Sequence, residues 1–248
     1  MDRRRFLETA VAGGAVLGVA GGIAATAWLA PYPAEEAAVA AVREDSALRL
    51  RSERTSHRLE PADAEPWAGL VYSPGGLVEP AAYLPTLALV VERTAVAVSV
   101  ARFPLGLAVV AADAAEELRR SLPDGPLLVG GHSLGGAMAA RYAAANAERV
   151  GGLALHAAYP DRELAGSGLP TLVCLGATDG VLNREAERES RSLLPADAER
   201  VVLEGVNHAG FGAYGPQDGD GPLERSPAAA REAVADATAG WLAALRTG

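Results

Sequence analysis

Short apolar runs alternate with longer amphipathic stretches through the chain beyond residue 66. Six runs have the composition of buried strands: WAGLVYS, TAVAVSVA, PLLVGG, VGGLALHAA, PTLVCLGA and ERVVLEG. Helical patterns lie between most of them, around residues 81–91, 107–121, 134–146, 184–194 and 227–245. Because the strands alternate with helices, we expect an α/β fold with a doubly wound, mostly parallel sheet and helices on both faces.

The first 30 residues follow a different pattern. Arg3, Arg4 and Arg5 precede an apolar stretch, Val11 to Ala30, and together they resemble a twin-arginine export signal. At about 1.5 Å per residue this stretch could span a bilayer. Its many glycines and alanines make it only mildly hydrophobic, which favours an export signal. We expect an exported protein whose segment 1–30 is either cleaved near ATA (25–27) or kept as a membrane anchor.

We expect residues 31–248 to form a single domain without a cap. Residues 31–66 are a polar extension, with a short helix predicted at 34–43 and one or two edge strands in LRLRSERTSHRLE. The pattern contains neither an internal repeat nor a second apolar core, and no insertion is long enough for a lid domain.

Composition excludes several kinds of chemistry. The net charge of the 248-residue chain is −9, so the basic surface that nucleic acid requires is absent. The chain contains no lysine, which excludes a lysine Schiff base and a Ser-Lys dyad. Its only cysteine, Cys174, lies in the strand pattern TLVCLG and is expected to fill the core.

A G-x-S-x-G motif spans residues 131–135, GHSLG, between a predicted strand and a predicted helix. This is the context of a nucleophile elbow, a strained turn that projects the serine hydroxyl above the sheet. Ser133 is therefore the candidate nucleophile. The N–H of Leu134, at the start of the helix, is a candidate donor to a developing oxyanion.

A serine nucleophile needs a base, and a carboxylate must orient that base. His208 follows the last strand, in VVLEGVNHAGFG, which is where the base belongs in the chain order Ser, acid, His. We expect His132 and His156 to be packing or hydrogen-bonding residues. Two aspartates follow strands in the interval, and we favour Asp179 in GATDG over Asp161 in YPDRE.

The second oxyanion donor is expected in the glycine turn PGGLV that follows the strand GLVYS. A glycine turn lets backbone N–H groups face the site, and we assign Gly76, with Leu77 as the alternative. The acidic segment QDGDG (217–221) lacks the spacing of a calcium loop, so we expect it to be solvated.

Together these residues resemble the α/β-hydrolase superfamily from about Trp67 to the C-terminus, and they are most similar to small members without a cap, such as the dienelactone-hydrolase-like branch. The motifs YSPGGLV, GGHSLGG and NHAGFGAYG are also similar to those of a bacterial and archaeal group. One departure is that many relatives carry His-Gly where this chain has Pro74-Gly75.

The resemblance implies a serine hydrolase that works through an acyl-enzyme with the triad Ser133, Asp179 and His208. We expect a carboxylesterase acting on small soluble esters, without metal or organic cofactor. Two alternatives stay open: an acyltransferase, and an inactive binding or scaffold protein of the same fold.

Overall fold

The computed structural model describes residues 31–102 and 118–247. Within them, eight strands form one sheet: β1 (Leu48–Ser52), β2 (Ser56–Pro61), β3 (Gly69–Ser73), β4 (Ala97–Ala101), β5 (Leu127–His132), β6 (Gly152–His156), β7 (Thr171–Gly176) and β8 (Glu199–Leu203). Their order across the sheet is β1-β2-β4-β3-β5-β6-β7-β8.

The sheet is parallel from β4 to β8. The hairpin β1–β2 is antiparallel and joins the sheet through an antiparallel pairing of β2 with β4. The predicted doubly wound, mostly parallel sheet is confirmed, and the extension 31–66 supplies its two antiparallel strands. In such a sheet, ligands bind beyond the carboxyl ends of the parallel strands.

Five helices accompany the sheet in the described residues: α1 (Glu36–Glu44), α2 (Leu84–Thr94), α3 (Leu134–Ala145), α4 (Arg184–Ser190) and α5 (Pro227–Thr247). Short 3-10 turns cover Pro80–Tyr83, Ala147–Arg149, Arg191–Leu193 and Ala209–Phe211. The helix predicted at 81–91 is shifted, because Pro80–Tyr83 forms a 3-10 turn before α2 begins. Most of the helix predicted at 107–121 falls outside the described residues.

The strands alternate between two cores, one on each face of the sheet. In β7, Leu172 and Cys174 point to one core, whereas Val173 and Leu175 point to the other. The first core is shared with α1, α2 and α5, and the second with α3. This period of two is the ordinary geometry of a strand buried on both faces.

The last strand differs from its prediction. The run ERVVLEG was interpreted as a buried strand, but β8 lies at the edge of the sheet and each of its residues is exposed or half-buried. Val202 is 39% exposed. An edge strand has a neighbour on one side only, and apolar content alone does not distinguish it from a central strand.

The described strands and helices form no cap domain beside the sheet. Among the same residues, no helix combines the length and the apolar character needed to cross a membrane. The predicted export segment 1–30 lies outside the described part of the chain.

Candidate active site

The turn between β5 and α3 has the geometry of a nucleophile elbow. β5 ends at His132 and α3 begins at Leu134, so Ser133 alone forms the junction. Its backbone has φ 53° and ψ −123°, a conformation that non-glycine residues rarely adopt and that costs on the order of 1–3 kcal/mol. Ser133 is partly exposed although both of its neighbours are buried.

The glycines of the motif allow this turn to lie against the loop that follows β3. A Cβ on Gly135 would lie 2.1 Å from the carbonyl oxygen of Ser73 and 2.3 Å from that of Pro74. A Cβ on Gly131 would lie 2.5 Å from the same Ser73 oxygen. Any side chain at either position would force the elbow away from the segment that carries Gly76.

An acid and a base meet at the carboxyl edge of the neighbouring strands. The ring nitrogen Nδ1 of His208 lies 2.8 Å from Oδ2 of Asp179, and both side chains are fully buried. Asp179 follows β7, and its other oxygen, Oδ1, accepts the N–H groups of Val181 at 2.9 Å and Leu182 at 2.8 Å. The carboxylate is thus held from two sides.

The charge state of Asp179 follows from its partners. Burial raises the pKa of this carboxyl, but His208 and the two backbone N–H groups outweigh burial and lower the pKa below its ordinary value. The ionised carboxylate only accepts, so Nδ1 of His208 donates. In the neutral ring Nε2 is then the proton acceptor, and it is buried without a hydrogen-bond partner among the described residues.

Asp161 lies in a different environment. Its carboxylate accepts from Nε of Arg141, on α3, at 3.0 and 2.9 Å. The side chains of this ion pair are 30% and 26% exposed. Of the two aspartates that the sequence offered as partners for His208, the structure brings Asp179 to the imidazole and pairs Asp161 with an arginine.

The two backbone N–H groups that the sequence predicted as oxyanion donors have no acceptor among the described residues. Leu134 is the first residue of α3, and neither its N–H nor that of Gly76 donates to a described group. Gly75 differs, because its N–H donates to the hydroxyl of Tyr83 at 2.9 Å. The loop 74–76 is therefore tied back by Gly75, which leaves the N–H of Gly76 available.

Tyr83 and His132 form a buried relay that sequence reasoning missed. The hydroxyl of Tyr83 lies 2.9 Å from Nδ1 of His132, and Nε2 of His132 lies 3.1 Å from the carbonyl oxygen of His208. A carbonyl only accepts, so Nε2 donates and Nδ1 accepts from Tyr83. The relay joins the Gly75 loop, the elbow and the loop of His208.

His132 is neutral in this relay. It is fully buried, and burial, with His208 and His156 nearby, lowers its pKa well below the ordinary value. Its ring centroid lies 4.5 Å from that of His208. The sequence expectation of a hydrogen-bonding residue agrees with this geometry, but no pattern in the chain pointed to Tyr83 as its partner.

Residues 31–35 support the same loops from outside. The N–H of Tyr32 donates to the carbonyl of Leu77 at 2.6 Å, and the N–H of Glu35 donates to that of Ala213 at 2.8 Å. The rings of Tyr32 and Tyr214 lie 6.0 Å apart. The start of the extension thus packs on the glycine loop and on the segment beyond His208.

Neither Cys174 nor a metal-binding cluster contributes to the site in the described residues. Cys174 is buried in β7, and burial raises the pKa of its thiol to about 12, so it is a core residue. Among residues 31–102 and 118–247, no group of three or more His, Cys, Asp or Glu side chains is arranged to hold a metal ion.

The elbow, the buried acid–base pair and the parallel sheet define an α/β hydrolase. The model of the Alpha/beta hydrolase family matches residues 69–232, and the chain belongs to that family. No curated protein matches the sequence.

Solved structures share this fold at low identity. A hyperthermophilic esterase from the archaeon Pyrobaculum calidifontis is 18% identical, with a TM-score of 0.59 over 84% of this chain and 90% of its own. A dienelactone hydrolase from Anabaena variabilis is 16% identical, with a TM-score of 0.59 over 80% and 98%. A bacterial membrane phospholipase A is 16% identical, with a TM-score of 0.60 over 98% of each chain.

Proposed function

We propose that the protein is a serine hydrolase that cleaves ester bonds through an acyl-enzyme, with Ser133 as nucleophile, His208 as base and Asp179 as its orienting acid. The observation that carries this proposal is the buried Asp179–His208 pair, whose free nitrogen Nε2 has no partner in the described structure. The strained serine at the adjacent strand–helix junction supports it.

In the first half of the reaction, Oγ of Ser133 attacks the ester carbonyl carbon and passes its proton to Nε2 of His208. The carbonyl electron pair moves to its oxygen, which accepts from the N–H groups of Leu134 and Gly76. Asp179 stabilises the imidazolium. The bond to the leaving oxygen then breaks, and Nε2 returns its proton to that oxygen.

In the second half, water attacks the acyl-enzyme while Nε2 of His208 takes one of its protons. A second oxyanion forms at the same donors. It collapses with cleavage of the bond to Oγ, and Ser133 recovers its proton from His208. The products are the free acid and the resting enzyme.

We propose small soluble esters as substrates. The esterase neighbours support an ester, and the absence of a cap among the described residues favours short acyl chains over long ones. A series of p-nitrophenyl esters of increasing acyl length is expected to give the highest kcat/KM for short chains. Higher turnover on long-chain triglyceride emulsions would contradict this assignment.

The test of the nucleophile is labelling of the purified full chain with a fluorophosphonate probe. We expect covalent labelling, complete loss of labelling in Ser133→Ala, and peptide mapping of the adduct to Ser133. Wild-type protein that is folded but unlabelled would favour the alternative of an inactive binding protein. Adding short alcohols to the ester assay separates hydrolysis from acyl transfer, because an acyltransferase would yield a new ester.

We further propose export by the twin-arginine route, from the sequence of residues 1–30 alone. Changing Arg3 and Arg4 to Lys should retain the protein in the cytoplasm. Unchanged export would contradict the proposal. N-terminal sequencing of exported protein would show whether the segment is cleaved near Ala27 or kept as an anchor.

A further inference from the structure

We infer that Asp220 is a positioning residue that locks the turn of Asp179 and the loop of His208 into one geometry, an inference that rests on the proposed function of this site. Asp220 lies in QDGDG, the segment that the sequence led us to expect in solvent. In the structure, Asp220 is instead half-buried.

The carboxylate of Asp220 accepts four backbone N–H groups. Oδ1 accepts from Gly180 at 3.1 Å, His208 at 3.1 Å and Gly221 at 2.8 Å. Oδ2 accepts from Ala209 at 2.9 Å. A single oxygen therefore bridges the residue after Asp179 to the backbone of His208 itself.

Gly221, which follows Asp220, and Gly180, which follows Asp179, allow this close approach. A Cβ on Gly221 would lie 1.9 Å from the carbonyl oxygen of Thr178, and one on Gly180 would lie 2.7 Å from the nitrogen of Gly221. Asn207 adds a third tie, because its Nδ2 donates to the carbonyl of Gly221 at 2.8 Å. The segments 178–180, 207–209 and 219–221 thus pack backbone against backbone.

The donors also explain why the residue is an aspartate. An ionised carboxylate is acceptor-only, and charge-assisted bonds to backbone N–H groups are roughly twice as strong as neutral ones. Its oxygens face donors, which is the opposite of the environment of a cation ligand. The segment therefore functions as a support for two loops rather than as a calcium loop.

The expected consequence of losing Asp220 is a misplaced base. The bond between Asp179 and His208 joins two separate loops, and a displacement of about 1 Å in such a site costs up to about 100-fold in rate. Asp220 contributes to the geometry of the base and not to substrate binding, so the loss should appear in kcat and leave KM nearly unchanged.

The experiment compares Asp220→Ala, Asp220→Asn and the control Asp218→Asn in the full chain. Asp218 is an exposed carboxylate in the same segment. With a short p-nitrophenyl ester, we expect kcat to fall about 10- to 100-fold in D220A with KM within about threefold. D220N keeps one oxygen able to bridge Gly180 and His208, so it should be intermediate. D218N should match the wild type.

Fluorophosphonate labelling separates positioning from folding. A misplaced base lowers the labelling rate constant of every molecule while circular dichroism shows a fully folded protein, whereas irreversibly misfolded protein lowers the labelled fraction at an unchanged rate constant. We expect the first result for D220A. The second result, or D220N no faster than D220A, would overturn the inference.

Proton NMR provides a readout that does not depend on catalysis. The Nδ1–H of His208 in its short bond to Asp179 should give a strongly deshielded resonance that D179N abolishes. We expect D220A to broaden or lose it, with D220N retaining it in part. If wild-type protein shows the resonance but no serine labelling, the proposed function fails while Asp220 is still tested. An unchanged resonance in folded D220A would contradict the positioning role.

Discussion

Two buried tyrosine–histidine pairs lie side by side at the carboxyl ends of β5 and β6, and only one of them reaches the candidate site. His132 and His156 are register partners on these strands. Nδ1 of His132 accepts from the hydroxyl of Tyr83 at 2.9 Å. Nδ1 of His156 accepts from the hydroxyl of Tyr72 at 3.0 Å. Phe211 contacts both imidazoles. Locally the two pairs are nearly the same structure.

They differ in what Nε2 donates to. Nε2 of His132 donates to the backbone of His208, in a loop. Nε2 of His156 lies 3.0 Å from Oγ1 of Thr238 on α5, and that hydroxyl in turn donates to the carbonyl of Val234. The first pair therefore holds the loop of His208, the proposed base, and the second attaches the sheet to a helix.

The comparison indicates that the role of a buried tyrosine–histidine pair depends on the element to which its Nε2 donates. Both pairs satisfy their hydrogen bonds internally, as buried groups must. The element at the far end of the relay decides whether a mutation should change activity or stability.

The largest effect is expected where the Tyr83–His132 relay ends, at the acid–base pair. Asp179→Asn removes the acceptor that sets the tautomer of His208, so kcat should fall by about 10⁴-fold while the fold is kept. Steady-state kinetics with a short ester, alongside circular dichroism, measure both. A loss of less than tenfold would show that Asp179 does not orient the base.

Low pH should destabilise the fold through both tyrosine–histidine pairs, because each contains a buried neutral histidine. Burial lowers the pKa of His156 to about 4, and that of His132 also lies well below its ordinary value. The unfolded chain takes up these protons near pH 6.5. Between pH 6.5 and the folded pKa, the unfolded state binds more protons than the folded state. The contribution of these histidines to the free energy of unfolding is therefore fully present above pH 6.5 and decreases as the pH falls below it.

The expected slope is about 1.4 kcal/mol of unfolding free energy per pH unit for each buried histidine. Urea unfolding at pH 7, 6 and 5 measures it. His156→Asn should be less stable at pH 7 and show a shallower slope below pH 6.5. Burial, with Arg102 and Arg43 nearby, also lowers the pKa of the partly exposed His57 to about 4, so H57N should flatten the slope in the same direction. Equal slopes for wild type and H156N would contradict burial of a neutral imidazole.

The third prediction compares the two tyrosines directly. Tyr83→Phe leaves Nδ1 of His132 and the N–H of Gly75 without partners, which costs on the order of 1–3 kcal/mol for each buried group. Because the relay reaches Gly75 and His208, kcat should fall about tenfold or more. Tyr72→Phe should destabilise the fold by about 1–3 kcal/mol but keep kcat per folded molecule.

Thermal unfolding and active-site titration, run on both variants, distinguish these outcomes. If Y72F slows the reaction as much as Y83F, the two pairs are equivalent and the comparison fails. If neither variant changes kcat, the relay from Tyr83 does not position the site.

The smallest effect is expected at the other aspartate, outside both relays. Asp161→Asn breaks an ion pair whose side chains are about one-third exposed or less, and such pairs contribute about 0–1 kcal/mol. Its kcat should change by less than tenfold and its melting temperature only slightly. A large loss of kcat in D161N would reverse the assignment of the acid.

The hydrophobic periodicity, the glycine motif and the order of residues along the chain predicted the sheet, the elbow and the candidate base. Alternation of apolar runs with amphipathic stretches predicts the parallel sheet because side chains of a strand buried on both faces must all be apolar. GHSLG between a strand and a helix marks the elbow, since only glycine allows the close approach to Ser73. The chain order singles out His208 as the candidate base.

Only the tertiary structure decided which groups meet. Asp161 and Asp179 both follow strands, and although the sequence favoured Asp179, it did not show that Arg141 pairs with Asp161. Nothing in the sequence shows that Gly75 donates to Tyr83, or that Asp220 faces four N–H groups. These are contacts between segments far apart in the chain, and they depend on strand order and loop packing, which local hydrophobic patterns do not encode.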